Sequence, residues 1–282
     1  MNDQGSMVVP DRVWLDGALM SPDEALVSAF DHGFTVGDGV FETCKVVRGR
    51  PFALTRHLAR LAVSARALGL PLPDPGRVRE GVAAVVPQLA GVPLARLRIT
   101  WTGGAGPLGS GRGHAPPTLF VAAARVVAPA AAETLAVVPW RRNEHGATAG
   151  VKTTSYAENV VALAYARRAG AGEAVLANTA GDLCEGTGSN VFVVRAGRVT
   201  TPPLSSGCLA GVTRSLVLAW CDAAEEAMPL AVLDDADEVF LTSSTRDVQP
   251  VRAIDGRPLE PGPVTAALGA EFARCAAETD DP

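Results

Sequence analysis

Residues 150–170 read GVKTTSYAENVVALAYARRAG, and Lys152 stands there between a predicted strand or loop and the start of a helix. The chain has one other lysine, Lys45, while arginine supplies the remaining positive charge. A desolvated lysine amine can attack an aldehyde, which a guanidinium cannot do. A loop lysine is nevertheless more often simply solvated, so a chemical role for Lys152 needs support from other segments.

A second segment, LCEGTGSNVFVV at 183–194, places an acid, Glu185, before a Gly/Ser turn that leads into a strand. Glu185 follows Lys152 by 33 positions (185 − 152). Together the two residues resemble the signature of class IV, fold-type IV, enzymes that use pyridoxal 5′-phosphate (PLP). This family includes branched-chain aminotransferases, D-amino acid aminotransferases and aminodeoxychorismate lyases. The resemblance implies a PLP enzyme with a two-domain α+β fold and the cofactor at the domain interface.

The resemblance also implies a role for each residue. Lys152 would be the catalytic residue, bonded to the cofactor and moving a proton as general acid and base. Glu185 would keep the pyridine nitrogen protonated, since a close carboxylate raises the pKa of that nitrogen. The alternative for Glu185 is a cap or salt-bridge residue in a turn. Tyr156, four residues after Lys152, is a further candidate, as a hydrogen-bond partner of the cofactor's phenolic oxygen.

Two helices carry candidate donors for the phosphate of PLP. Arg60 lies in TRHLARLAVSA (55–65), away from the leucine stripe of its helix, and matches the arginine of the family's HxxRL segment. Its alternative role is that of a solvated helix arginine. In LAGVTRSLVLAWC (209–221), Val212 and Thr213 open a helix whose unpaired N–H groups and dipole attract anions. Thr213 could equally be a plain N-terminal cap.

A strand end supplies the third group of phosphate candidates. In FLTSSTRDVQPV (240–251), Ser243, Ser244 and Thr245 follow a predicted strand and offer hydroxyl and backbone donors. Alignment with the family pattern favours Ser244 as the phosphate contact, with Thr245 beside it. Serine-rich strand ends are common, so the order of the segments along the chain carries more weight than this segment alone.

The segment DHGFTVGDGVFETCKV (31–46) resembles the GxGVFE segment that lines the substrate side of the family's pocket. Val36 and Glu42 are therefore substrate candidates, and Glu42 is equally a candidate for a structural hydrogen bond. With this segment, the resemblance runs in the family's order from Trp14 to Pro250, over nearly the whole chain. Five ordered motifs are far more specific than any one of them.

The residue that binds the substrate carboxylate is less well defined. Familiar bacterial D-amino acid aminotransferases carry an Arg-x-His pair after the strand near residue 100. This chain reads GGAGPLGSGRGH at 103–114, and the pair is not placed at its expected position. Arg98 stands in a strand position that resembles a branched-chain pocket arginine. Arg141 and Arg142 are the remaining candidates.

The resemblance favours two activities over a third. Branched-chain enzymes place a tyrosine five residues after the lysine, but that position here is Ala157, and KTTSYAENV is closer in spacing to the D-amino acid and lyase branches. We expect transamination between a small amino acid, of D configuration, and a 2-oxo acid. The first alternative is 4-amino-4-deoxychorismate lyase, which releases pyruvate, because GDGVFET and TSSTRDVQPV resemble proteins of that activity. A branched-chain aminotransferase is a weaker alternative.

The composition limits the classes of partner. The formal net charge is −5, and no run of lysine or arginine suggests a nucleic-acid partner. No apolar stretch of about eighteen residues suggests a membrane span, and the first residues lack the blocks of a secretory signal, so we expect a cytoplasmic protein. Five single cysteines lack the paired spacing of a zinc site and are interpreted as buried thiols. No metal is expected.

The order of elements indicates an α+β fold, since strands and helices do not follow a strict βαβ repeat. Helices are predicted at about 55–68, 75–89, 158–168, 212–223 and 264–278. The Ala- and Pro-rich stretch 126–137 is the predicted linker between an N-terminal α/β domain, 1–125, and a C-terminal PLP-binding domain, 138–282. The resemblance further implies a homodimer in which a loop of the partner subunit closes the pocket.

Overall fold

The structure of the protein, a computed structural model, describes residues 10–282 and separates them into two compact units. The first unit contains the chain up to Ala128 together with Val151–Ser155 and Asp280–Pro282. The second contains Pro129–Gly150 and Tyr156–Thr279. The sequence analysis places Lys152 in the C-terminal domain, whereas the structure groups its segment with the first unit, because that segment pairs with a strand there.

The first unit is built on an antiparallel sheet. In chain order its elements are β1 (Val13–Leu15), β2 (Ala18–Met20), α1 (His32–Thr35), β3 (Gly39–Val47), β4 (Arg50–Pro51), α2 (Leu54–Ala67), α3 (Pro75–Val85), β5 (Leu94–Thr102) and β6 (Leu119–Arg125). The strand order across the described sheet is β2-β1-β6-β5-β3-β4. Long β3 and β5 pair over their whole length, from Gly39 opposite Thr102 to Val47 opposite Leu94.

Helices α2 and α3 cover one face of this sheet. The predicted stripe of α2 is buried at Leu58, Leu61 and Ala65, because residues three and four apart share one face of a helix. Asp74 caps α3, its carboxylate accepting the N–H of Gly76 at 2.6 Å. Helix α3 ends at Val85, earlier than the predicted 89, and Val86–Leu89 continue as a 3₁₀ turn.

The alternation of β3 decides which side chains meet the helices. Val40, Cys44 and Val46 belong to the core that α2 and α3 complete. Glu42 lies between them on the same face, because side chains of a strand alternate with a period of two. Phe41 therefore points to the opposite face of the sheet, where Arg98 of β5 also lies.

The second unit contains a mixed sheet and three helices within its described residues. Its elements are β7 (Glu133–Arg142), α4 (Ala157–Arg168), β8 (Glu173–Asn178), β9 (Leu183–Gly186), β10 (Asn190–Arg195), β11 (Arg198–Thr201), α5 (Val212–Trp220), β12 (Ala224–Glu225), β13 (Glu238–Ser243), β14 (Asp247–Ile254), β15 (Arg257–Pro258) and α6 (Pro263–Glu278). The strands follow the order β12-β11-β10-β13-β14-β7-β8-β9, and β15 pairs with β14.

Apolar side chains hold this sheet against its helices. Ala162 and Ala166 of α4 pack on Ala136, Val138 and neighbouring strand residues. Phe192 of β10 stacks on Phe240 of β13, with ring centroids 4.7 Å apart. Strands β10 and β11 form a hairpin that turns at two residues with positive φ angles, Ala196 and Gly197.

Two expectations for this unit differ from the structure. Helix α5 ends at Trp220 rather than at 223, because Cys221 is extended and Ala224 already pairs with Thr200 as β12. The predicted linker 126–137 overlaps a strand, since β7 begins at Glu133. The Ala- and Pro-rich first half of the predicted linker precedes that strand, and its residues follow neither the helical nor the strand pattern of apolar residues.

The cysteines lie singly in the described structure, and all five are free thiols. Cys44, Cys184 and Cys208 are buried as expected, whereas Cys221 and Cys275 are half-buried. Burial raises the pKa of the Cys44 thiol to about 12. Within residues 10–282, no helix combines the length and the apolar composition needed to cross a membrane.

Candidate active site

The backbone of Lys152 is held on the first half of β3. The Phe41 N–H donates to the Lys152 carbonyl at 3.0 Å, and the Thr154 N–H donates to the Gly39 carbonyl at 2.8 Å. From the helix side, Ser64 Oγ of α2 accepts the Lys152 N–H at 3.4 Å. Lys152 is thus fixed by a strand and a helix of the first unit, although the chain on either side of its segment belongs to the second.

The Lys152 side chain shares the Phe41 ring with Arg98. Lys152 Nζ lies 4.4 Å from the ring centroid, and the guanidinium carbon of Arg98 lies 3.3 Å from it. The two cationic groups are therefore at most 7.7 Å apart, the sum of these distances. Arg98 Nε donates to Thr100 Oγ1 at 3.1 Å, which orients the guanidinium along β5. This arrangement places a guanidinium and a lysine amine against one aromatic ring.

Arg60 is held by a buried carboxylate on the other face of the sheet. Its Nε and Nη2 donate to the two oxygens of Glu42 at 2.8 and 2.7 Å. His57 Nδ1 lies 2.7 Å from Glu42 Oε2, and neither His57 nor Glu42 is exposed to solvent beyond 2%. Of the two roles weighed for Glu42, the structure favours the structural hydrogen bond, because the alternation of β3 turns it away from Phe41 and Arg98.

The ionisation of Glu42 follows from these partners. Burial by itself would raise the pKa of the carboxyl, but the charge of Arg60 and the hydrogen bonds from Arg60 and His57 outweigh it. The result is a pKa of about 2, below the ordinary 4.5. Glu42 is therefore a permanent anion at neutral pH, and it keeps Arg60 in one position.

A tight turn at Gly37–Gly39 joins the Lys152 segment to the rest of the first unit. The Gly37 carbonyl accepts hydrogen bonds from Thr154 Oγ1 and Ser155 Oγ, each at 3.0 Å. Gly37 has φ +70°, and a Cβ there would collide with Ser155 Oγ. Both facts explain why the first position of the GxG motif is a glycine. Val36, a substrate candidate, precedes this turn and is 44% exposed.

The chain does contain an Arg-x-His pair, at Arg112 and His114. Arg112 comes ten residues after Thr102, the end of β5, so the pair does not follow the strand directly. In the structure Arg112 forms two bonds with the Asp38 carboxylate, at 2.6 and 2.7 Å, and also donates to the Leu68 and Gly69 carbonyls. Arg112 thus anchors the Gly-rich loop to α2.

In the second unit, Glu185 of β9 is anchored by a backbone group and an arginine. Its Oε2 accepts the Leu209 N–H at 2.9 Å, and Arg142 Nε lies 3.2 Å from its Oε1 as an ion pair. Arg142 also donates to Glu158 at 3.0 Å. Two acids therefore occupy Arg142, whereas the neighbouring candidate Arg141 is exposed.

The candidate phosphate donors of the second unit lie at the start of α5 and after β13. Gly211 precedes α5 and offers no side-chain cap, so the N–H groups of Val212 and Thr213 are not covered by one. Asn190 approaches Gly211 so closely that a Cβ would collide with it. Thr242, opposite Asn190 in the sheet, is buried, and its hydroxyl has no hydrogen-bond partner in the described part of the chain.

Ser243 is the last residue of β13, and Ser244 and Thr245 begin the turn that leads to β14. All three are half-buried. Tyr156, at the start of α4, is likewise half-buried. The structure thus presents hydroxyl and backbone donors at the end of β13 and next to the start of α5.

A buried acid that the sequence analysis did not single out, Glu173, organises this region. Its carboxylate accepts from the Thr187 N–H at 3.1 Å, from Ser189 Oγ at 3.2 Å and from Arg246 Nη1 at 2.9 Å. The turn after Glu185 and the turn after β13 are therefore tied to one carboxylate. A signal existed in the sequence, since Glu173 is an acid at the start of a strongly apolar strand.

The fold and these side chains indicate the class of enzyme to which the protein belongs. A fixed lysine, an anchored acid and anion donors at a helix start fit an enzyme that uses PLP. Three observations on residues 10–282 support this fit: the Thr242 hydroxyl has no hydrogen-bond partner among them, Gly211 provides no side-chain cap for α5, and Arg60 is held in one orientation. When bound, PLP supplies an aldehyde for the lysine and an electron-withdrawing ring.

Comparison with known proteins identifies the family. The model of the amino-transferase class IV family matches residues 39–254. A Methanocaldococcus jannaschii protein, provisionally named a branched-chain-amino-acid aminotransferase, is 32% identical over 273 residues, which cover 93% of this chain and 95% of that protein. A Mycobacterium tuberculosis protein, named a bifunctional aminodeoxychorismate lyase and D-amino acid transaminase, is 30% identical over 299 residues, which cover 95% and 99%.

A solved structure agrees with this result. The PLP-bound form of a hypothetical aminotransferase from Mycobacterium tuberculosis has a TM-score of 0.84 at 30% identity, covering 96% of this chain and 100% of that one. The chain belongs to the class IV aminotransferase family. It is an enzyme of the α+β fold-type IV, and its cofactor is PLP.

Replacing Glu42 by glutamine tests the buried ion pair. Glu42→Gln leaves Arg60 without its buried anion, and we expect the free energy of unfolding to fall by about 3 kcal/mol at pH 7. Because the folded pKa of Glu42 is lowered to about 2, this stabilisation is complete above about pH 4.5 and is lost as the pH falls towards 2. Denaturant unfolding of both proteins at several pH values measures the difference, and a difference that stays constant from pH 7 to pH 3 would contradict the account.

Proposed function

We propose that the protein transfers an amino group between a small amino acid, with the D-enantiomer as donor, and a 2-oxo acid. The observation that carries this proposal is the Phe41 ring with Lys152 Nζ on it at 4.4 Å and Arg98 at 3.3 Å. In an α-amino acid one carbon separates the nitrogen from the carboxylate. An arginine that binds this carboxylate with two hydrogen bonds of about 2.8 Å therefore lies close to the amine that the substrate replaces.

Lys152 Nζ is the proposed acid and base. The amine would remove the proton from the substrate Cα as a base and would then donate a proton as an acid to complete the transfer of the amino group. The backbone bonds of Lys152 to Phe41 and to Ser64 support this role, since a proton donor must hold one position through both steps. Arg98 orients the carboxylate, and Phe41 shields one side of the lysine from water.

Glu185 is the proposed partner of the pyridine nitrogen. Its contacts with Leu209 and Arg142 fix the carboxylate in position, and a carboxylate oxygen can accept more than one hydrogen bond. Tyr156 is proposed as the partner of the phenolic oxygen. For the phosphate we propose donors from three places: the Arg60 side chain in the middle of α2, Val212 and Thr213 at the start of α5, and Ser243, Ser244 and Thr245 at the end of β13 and in the turn after it.

Among the candidates for the substrate carboxylate, Arg98 is better supported than Arg141 or Arg142. Arg142 is engaged by Glu185 and Glu158, and Arg141 is exposed. The bonds of Glu42 to Arg60 support a structural role for this acid over a substrate contact. Val36 keeps its place as a contact candidate at the turn before β3.

The D configuration rests on the sequence around the lysine. The tyrosine at the fourth position after Lys152 follows the spacing of the D-amino acid and lyase branches. The Mycobacterium tuberculosis relative carries both of these activities in its name. For a lyase, the second candidate, the supporting observation is the resemblance of GDGVFET and TSSTRDVQPV to that branch. Arg98 and the Methanocaldococcus jannaschii relative's name favour a branched-chain preference as the third candidate.

A homodimer in the cytoplasm is part of the proposal. Four large apolar side chains of the segment 26–34 in the first unit are exposed, Leu26 at 82%, Val27 at 46%, Phe30 at 55% and Phe34 at 79%. Apolar clusters of this kind on a protein surface commonly mark an interface. A second copy of the chain is the partner that the family resemblance implies.

A substrate panel separates the three activities. We expect the holoenzyme to convert D-alanine and 2-oxoglutarate to pyruvate and glutamate faster than it uses L-valine or L-leucine as donor. It should release pyruvate from 4-amino-4-deoxychorismate more slowly than from D-alanine. Coupled assays for pyruvate and chiral chromatography of the glutamate measure these rates. Faster pyruvate release from aminodeoxychorismate would move the assignment to the lyase, and a preference for L-leucine would move it to the branched-chain group.

Arg98→Gln tests the carboxylate contact. Removing a hydrogen-bonded charge costs about 1.5–3 kcal/mol, so kcat/KM for the preferred donor should fall about 10- to 100-fold. Arg96→Gln, two positions away on the same strand, is the matched control and should change kcat/KM less than threefold. Steady-state kinetics with both variants in the PLP-bound form decide the matter. Equal effects of the two substitutions would remove Arg98 from the substrate site.

A further inference from the structure

Helix α2, which carries His57 and Arg60, begins without a cap of its own. The residue before it, Ala53, has a left-handed backbone with φ 55°, and its methyl group cannot accept a hydrogen bond. The first N–H groups of any helix have no partner within the helix, and a side chain with an oxygen at this place normally supplies one. The acceptors for the start of α2 must therefore come from elsewhere.

They come from residues 280–282, which belong to the same unit. Asp281 Oδ1 accepts the Thr55 N–H at 2.8 Å, 226 positions away in the sequence. The Asp280 carbonyl accepts the Ala53 N–H at 2.7 Å, and the Pro282 carbonyl accepts from Arg56 Nε at 2.8 Å. Asp281 thus fills the role of an N-cap residue, and its negative charge also suits the positive end of the helix dipole.

The first turn that Asp281 holds is connected to Arg60. His57 closes this turn, its N–H bonding to the Ala53 carbonyl at 3.1 Å, while its Nδ1 lies 2.7 Å from Glu42. Glu42 in turn holds the Arg60 guanidinium with two hydrogen bonds. A shift of the first turn of α2 would therefore move His57 and, with it, the Glu42 carboxylate that orients Arg60.

We infer that Asp281 is a positioning residue for binding of the PLP phosphate. Asp281 holds the start of α2, and through His57 and Glu42 this turn sets the position of Arg60. The inference rests on the proposed role of Arg60 as a phosphate donor. Without the cap, the first turn of α2 frays in a fraction of the molecules. The apparent affinity for PLP then falls in proportion to the fraction that keeps the turn. A ligand without a phosphate does not depend on Arg60 and is not affected.

The experiment compares PLP with pyridoxal, which lacks the phosphate. Both are titrated into the full-length apoenzyme and followed by absorbance. Loss of an N-cap of about 1 kcal/mol raises the ratio of frayed to intact first turns about fivefold, which sets the upper limit of the change in affinity. Asp281→Ala should therefore bind PLP more weakly, by up to about fivefold, and pyridoxal with unchanged affinity. Asp281→Asn should retain the affinity for PLP, because asparagine caps a helix as well as aspartate does.

Two further variants make the outcomes distinguishable. Asp280→Ala removes the neighbouring acid, whose side chain pairs with exposed Arg50, and should leave both affinities unchanged. Arg60→Ala should weaken PLP but not pyridoxal. If Arg60→Ala weakens both ligands equally, the proposed phosphate donor is wrong and the inference fails with it. If only Arg60→Ala is selective for PLP, and Asp281→Ala weakens both ligands or neither, the inference alone is overturned.

Discussion

The backbone pairing of Lys152 with Phe41 is the interaction on which the rest of the site in the first unit depends. It attaches the lysine segment to β3, and the alternation of that strand then assigns a side to every neighbour. Phe41 faces Arg98 and the lysine amine, whereas Glu42 faces α2 and Arg60. The two faces of one strand therefore carry the proposed substrate contact, Arg98, and the acid that orients the proposed phosphate donor, Arg60.

Buried acids fix the charged donors in both units. Glu42 holds Arg60 in the first unit, and Glu173 holds Arg246 and the turn after Glu185 in the second. A buried carboxylate is costly unless hydrogen bonds and an opposite charge surround it, and both acids satisfy that condition. Such pairs contribute more to the position of a guanidinium than to net stability. Preorganised donors of this kind are what binding of a phosphate dianion requires.

Local patterns in the sequence predicted most elements of the fold. The helices predicted at 55–68, 158–168 and 264–278 agree with α2, α4 and α6 to within one residue at each end, because apolar periodicity and turn residues act over a few positions. Long-range pairing was out of reach. The grouping of Val151–Ser155 with the first unit, and the capping of α2 by Asp281, join residues more than a hundred positions apart. The Arg-x-His pair at Arg112 lies farther along the chain than the family pattern places it, because a Gly-rich loop separates it from the end of β5.

For the site, the sequence identified residue types better than their partners. Lys152 and Glu185 were recognised by spacing to each other, and Glu42 by its motif, but the choice between a substrate contact and a structural bond needed the face of β3. Arg142 illustrates the same point, since only the structure pairs it with Glu185 and Glu158. Roles that depend on which charges meet in space are not encoded in a local pattern.

The central claim is that Lys152 carries the cofactor, and the chain permits a direct measurement because it has only two lysines. The holoenzyme is reduced with borohydride, digested and mapped by mass spectrometry. The account predicts phosphopyridoxyl modification on the peptide that contains Lys152 and an unmodified Lys45, which is buried against Phe52. Modification of Lys45, or reduced holoenzyme with no modified lysine, would contradict it.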